Sequence, residues 1–135
     1  MSALWWLLIG GAALAAGSTL LKRRKLKDLP DVSNEEFLSM YRFRSDRSDS
    51  KVIEERKAIA ESLGVPYQKL SPSQTFKSFS RYTGFIGEYE IGMSDLGDEL
   101  AHVCKQAGLR APDPFPETVE EFINEMMKAK NESKE

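Results

Sequence analysis

The chain has 135 residues, a length that allows one domain, and its single Cys and single His exclude an intrachain disulfide, a multi-Cys metal site and a His-pair metal site. One cysteine also fits a reducing cytoplasm. The first 27 residues carry five Lys and Arg and no acid, which leaves 14 basic against 21 acidic residues from Asp28 onward, a balance that argues against a nucleic-acid partner.

Residues 3–21 read ALWWLLIGGAALAAGSTLL, a run of 19 without charge. At about 1.5 Å per residue, a helix of that length just crosses a hydrocarbon core of about 30 Å. Trp5 and Trp6 stand at one end, where indoles favour the headgroup region, and Lys22, Arg23, Arg24, Lys25 and Lys27 crowd the other. Basic flanks resist translocation, so the expected topology is a single pass with the C-terminal domain cytoplasmic. The rival is a cleaved signal peptide, for which Ala13-Leu14-Ala15 supplies small residues; its positive charge, however, should precede the apolar run, and here it follows. Residues 1–27 are therefore read as a transmembrane anchor with a basic juxtamembrane stem in contact with the lipid bilayer.

Residues 28–50 are expected to form a linker and a short amphipathic helix. Ser33 and Glu36 have the spacing of a capping box, and Phe37, Leu38, Met40, Tyr41 and Phe43 supply an aromatic side that packs on the main domain or lies on the membrane surface. Arg44–Ser50, without an apolar residue, reads as an exposed loop. From about Ser50 to Leu63, Val52, Ile53, Ile59, Ala60 and Leu63 form an apolar stripe that Gly64 terminates. Ser71, Pro72 and Gln74 suggest a short helical turn leading to core anchors Phe76 and Phe79. Gly84, Gly87 and Gly92 argue against a regular helix from Arg81 to Met93, so an ordered loop is expected there, or a brief hairpin. A further helix should start at Ser94, use Leu96, Leu100, Val103 and Ala107, and end at Gly108. Its first turn would hold Asp95, Asp98 and Glu99, acids that offset the positive helix terminus. Pro112, Pro114 and Pro116 bar helix from the next loop. Thr118 and Glu121 then open a last helix striped by Val119, Phe122, Ile123, Met126 and Met127, with Lys130–Glu135 frayed. The fold class is all-α: a small helical bundle over residues 51–130, a frayed tail over 131–135, and a single transmembrane helix in front.

The order of these elements carries a resemblance. Residues 59–76, IAESLGVPYQKLSPSQTF, resemble the first helix and following loop of acyl carrier proteins, with their Leu-Gly-Val and Ser-Pro-x-x-x-Phe segments. Gly92-Met93-Ser94-Asp95-Leu96 looks like the carrier's Gly-x-Asp-Ser-Leu junction, and Gly108–Asp113 is similar to its Gly-Ile-x-Ile-Pro-Asp exit. The resemblance covers roughly Lys51–Ala129. It implies a carrier-like helical bundle in which Ser94, at a helix N-terminus, would hold phosphopantetheine; free amides and the helix dipole there suit a phosphodiester. Here, however, the family's acid and serine are exchanged, since Met93 precedes Ser94 and Asp95 follows it.

No phosphate loop or paired metal-ligand motif is present, and His102 and Cys104, two apart on a helix, diverge. The chain is therefore expected to act without catalysis, as a membrane-tethered docking module whose Asp95, Asp98 and Glu99 meet a basic surface on a protein partner, with no cofactor. The alternatives are a phosphopantetheine-dependent carrier modified at Ser94, and a structural assembly factor of a membrane complex whose transmembrane helix is itself the interaction site.

Overall fold

Residues 27–82 and 88–133 are described by a computed structural model. The expected span, residues 3–21, lies outside the described residues, as does most of its basic stem. Among the described residues no helix is long and apolar enough to cross a membrane. They form four α-helices: α1 (Asn34–Met40), α2 (Asp49–Leu63), α3 (Glu88–Gln106) and α4 (Val119–Ser133). Short 3-10 turns at Asp46–Ser48, Tyr67–Lys69 and Phe76–Tyr82 join them, and the only pairing of strand type among the described residues is an isolated bridge between Thr75 and Thr118.

The stripes read from the sequence become one core. Helix α2 contributes Val52, Ile59, Ala60 and Leu63; α3 contributes Leu96, Leu100 and Cys104; α4 contributes Val119, Phe122, Ile123, Met126 and Ala129. All three pack on one another, and Phe76 and Phe79 are buried in the same core as expected. The Phe76 and Phe122 rings meet edge to face at 5.7 Å, and Phe115 from the Pro-rich loop leans on both. Helix α2 ends where Gly64 adopts a left-handed φ of 68°, which lets Val65 N–H reach back to the Ala60 carbonyl at 3.0 Å.

Both expected caps form, each with a variation. The Ser33 hydroxyl accepts from Glu36 N–H at 3.1 Å, while the Glu36 carboxylate returns to the Ser33 hydroxyl and not to its amide. Thr118 Oγ1 accepts from Glu121 N–H at 3.3 Å, and the Glu121 carboxylate takes the amide of Glu117. The start of α4 is also pinned to the preceding loop: Phe76 N–H donates to the Glu117 carbonyl, and Val119 and Glu120 N–H donate to the carbonyls of Gln74 and Pro72. Ser71–Gln74 is a tight turn and not a helix; Gln74 Oε1 accepts from Ser71 N–H at 2.8 Å, and helical backbone resumes only at Phe76.

The segment expected to be a linker is bound to the bundle. Val32 belongs to the common core, with its N–H donating to the Gln68 carbonyl at 2.7 Å, and α1 packs on the bundle through Phe37 and Tyr41, as expected of its aromatic side. Arg56, fully buried on α2, secures this joint. Its guanidinium donates to Asn34 Oδ1, the Val32 carbonyl and the Leu70 carbonyl, and stacks between the rings of Phe37 and Tyr67. Burial lowers the Arg56 pKa, and Tyr67 opposes that shift. The last helix also runs further than expected: Lys130, placed in a fraying tail by the sequence reading, is bound to the buried carboxylate of Glu55.

Candidate docking surface

Helix α3 carries the residues singled out from the sequence. Its inner side repeats every four residues, with Gly92, Leu96, Leu100 and Cys104 all buried. Gly92 sits where α3 crosses the end of α2: a Cβ there would approach the Ser62 carbonyl oxygen to 2.5 Å. The glycine that argued against helix is thus the one that lets two helices approach. The expectation of a loop or hairpin fails for residues 88–93, which are helical; residues 83–87, with Gly84 and Gly87, lie outside the described residues.

This extension changes the place of Ser94. It stands in the seventh position of α3, exposed on the side of the helix, and not at its start. A residue six places into a helix no longer belongs to the first turn, whose four N–H groups lack internal partners. The capping expectation for Ser94 is therefore corrected, and the physical ground for phosphopantetheine there, a cradle of free amides at the positive helix end, is absent. A groove of about 370 Å³ does lie nearby, walled by Phe76, Lys77, Tyr89, Met93 and Phe115 among others, but Ser94 is not part of its wall.

Asp95, Asp98 and Glu99 shift with it. They lie in the middle of α3, so they do not offset its N-terminal dipole. All three are exposed, and none makes a side-chain hydrogen bond or ion pair among the described residues. Ile91 precedes them on the outward side with 58% of its surface exposed, the most exposed large apolar side chain among the described residues. His102 continues this outward side, whereas Cys104 turns inward. Burial pushes the Cys104 thiol up, and Glu125 adds to the shift. The two side chains do not form a nucleophile and base pair. Among the described residues no group of three His, Cys, Asp or Glu is placed to hold a metal ion.

The buried polar residues escaped the sequence reading. Glu55, Arg56 and Glu120 are all buried, and each lies near the joint with α1. A signal existed for two of them. Positions 55 and 56 fall on the apolar stripe between Val52 and Ile59, so helical periodicity alone places them inward. Glu120 is held by Arg42, whose Nε donates at 2.6 Å and whose backbone N–H donates at 3.3 Å. Tyr41 lies beside this pair; its phenol is pushed upward by burial, with the carboxylates of Glu120 and Glu55 adding to the effect.

Comparison with protein-family models, with curated proteins and with solved structures finds no match for this chain.

Proposed function

We propose that the chain is a membrane-tethered helical domain that binds a protein partner through the outward side of α3. The uncharged run 3–21 spans the bilayer, the basic stem keeps the domain on the cytoplasmic side, and Asp95, Asp98 and Glu99 meet basic residues of the partner around Ile91. The observation that supports this reading best is the contrast in charge pairing. Acids at the joint with α1 are held by cations of the same chain, whereas these three are exposed beside an exposed isoleucine and form no ion pair among the described residues. Complementary charge steers encounter and sets register, and an apolar centre supplies affinity.

A photo-crosslinking residue at Ile91, introduced into the full chain in its native membrane, tests the surface. A protein adduct that forms at 91, not at Lys128 of α4, and that disappears in the Asp95→Asn/Asp98→Asn/Glu99→Gln variant is the expected result. Equal adducts at both positions, or an adduct indifferent to the three neutralisations, refutes it. Replacing residues 3–21 with an unrelated span tests the tether. Adduct formation should survive the exchange; its loss would make the transmembrane helix itself the binding site.

A further inference from the structure

The turn that follows α1 has a composition unlike the rest of the domain. From Met40 to Lys51 the chain holds Arg42, Arg44, Arg47 and Lys51 against Asp46 and Asp49, within a domain that otherwise has a large surplus of acid. Two apolar side chains stand out from this basic stretch: Met40 is 49% exposed and Phe43 is 42% exposed. Their neighbours Phe37 and Tyr41 are buried in the core, so the exposure of Met40 and Phe43 is not a general property of this helix. The Arg42 guanidinium lies over the Phe43 ring at 5.2 Å, and the Tyr41 ring meets the Phe43 ring edge to face at 5.9 Å. Arg42 is also fixed by Glu120, and Arg44 by Asp49 at 3.3 Å, while Arg47 and Lys51 form no ion pair among the described residues. The result is a pre-ordered knob of arginine and aromatic groups.

Its place along the chain points to an occupant. The domain is tied down from Leu29 onward, where the Leu29 carbonyl accepts from Lys69 Nζ at 2.9 Å and Asp31 pairs with the same ammonium at 2.7 Å. Seven residues separate Leu29 from Leu21, the end of the uncharged run, and the eight steps of chain between the two reach at most about 28 Å. Residues 30–33 then lead to helix α1, whose seven residues span about 10 Å and end at Met40. The basic knob is therefore within reach of the surface to which the stem is attached. We infer that Met40 and Phe43, framed by Arg42, Arg44, Arg47 and Lys51, form a second membrane contact: the apolar side chains enter the headgroup boundary of an anionic bilayer and the cations meet lipid phosphates. This rests on the tether proposed above. Interfacial contacts of this kind combine a small buried apolar area with attraction to anionic lipid. Such a contact would hold the domain in one orientation against the membrane, where a single tether leaves it free to rotate.

The test uses the full chain in phosphatidylcholine vesicles with and without phosphatidylserine. A small fluorophore is attached at Ser45→Cys, beside the knob, or at Ser94→Cys on α3; the unsubstituted chain controls for labelling of buried Cys104. Quenching by neutral acrylamide should be several-fold weaker at 45 than at 94 in anionic vesicles. The difference should vanish without phosphatidylserine and in a Met40→Ser/Phe43→Ser background. Equal quenching at both positions in anionic vesicles overturns the inference, as does protection that is indifferent to lipid charge. Carbonate extraction of the same vesicles reads the span separately. Release of the chain condemns the transmembrane reading, while the second contact still stands or falls on the quenching difference.

Discussion

Where α1 meets the bundle, the buried carboxylates of Glu55 and Glu120 face Lys130 and Arg42, and the buried guanidinium of Arg56 reaches three oxygens. Along the outward side of α3, Asp95, Asp98 and Glu99 stand in water with no ion pair among the described residues. The two regions differ in what removing a charge would do. A buried ionised group is tolerable only while its partners remain, because the alternative is a desolvated charge with nothing to offset it. An exposed, unpaired acid contributes little to folding, and is free to serve another molecule. The joint is thus architecture, and the α3 surface is the part that can be altered without cost to the fold.

Arg56→Met breaks the comparison on its structural side and should have the largest effect. It keeps most of the side-chain volume but leaves the Val32 and Leu70 carbonyls and the Asn34 amide oxygen without their donor, so a loss of about 3 kcal/mol is expected in denaturant unfolding. A loss below about 0.5 kcal/mol, the range of ordinary surface substitutions, would show that the joint with α1 is not held as described. Gly92→Ala should come next. The added methyl meets the backbone of Ser62, which cannot rotate away, and overpacking of this kind typically costs about 1–3 kcal/mol. An unchanged melting temperature would mean that α2 and α3 do not cross at Gly92.

The joint also predicts a response to pH. The Tyr41 phenol has its pKa raised by burial and by Glu120 and Glu55, so the folded state holds this proton more tightly than the unfolded chain does. The stability associated with it is complete below the ordinary tyrosine pKa of about 10 and is lost as pH rises above that value. Unfolding curves should therefore fall off less steeply above pH ~10 in Tyr41→Phe than in the unsubstituted protein. Parallel curves would mean that Tyr41 ionises in the folded state as freely as in the unfolded one.

The two regions were not equally legible in the sequence. The apolar periodicity of α2 and α4, the caps of α1 at Ser33 and of α4 at Thr118, and the stops of α2 at Gly64 and of α3 at Gly108 are local signals, and the structure follows them. The packing of α1 through Phe37 and Tyr41 was legible, but the polar contacts of the joint were not, because their determinants are distant in the chain: Arg56 finds Val32 and Asn34 more than twenty residues away, and Arg42 finds Glu120 seventy-eight residues away. Residues 28–33 looked like a linker because Pro30 and two acids dominate them, although Val32 is buried. The start of α3 was misplaced for a different reason. Glycine disfavours helix by about 1 kcal/mol relative to alanine when nothing else acts on it, but at position 92 the close approach to α2 decides, and no local rule contains that contact.

That misplacement leads to the smallest predicted effect, and its sign separates the two accounts of α3. If Ser94 capped the helix, its hydroxyl would satisfy an amide of the first turn, and Ser94→Ala would destabilise the protein by about 1 kcal/mol. In the structure Ser94 lies on the exposed side of a helix that began six residues earlier, with no hydrogen bond from its side chain among the described residues. There alanine is the better residue. A serine hydroxyl competes for backbone partners in non-helical conformations, so removing it favours the helical state. Ser94→Ala should therefore stabilise the protein by roughly 0.5 kcal/mol, a small gain in melting temperature but opposite in sign to the loss of a cap. The same substitution should leave the Ile91 crosslink unchanged, because it alters none of the three acids. A measured loss near 1 kcal/mol would move the start of α3 back to Ser94 and restore the free amides that an attached phosphodiester requires.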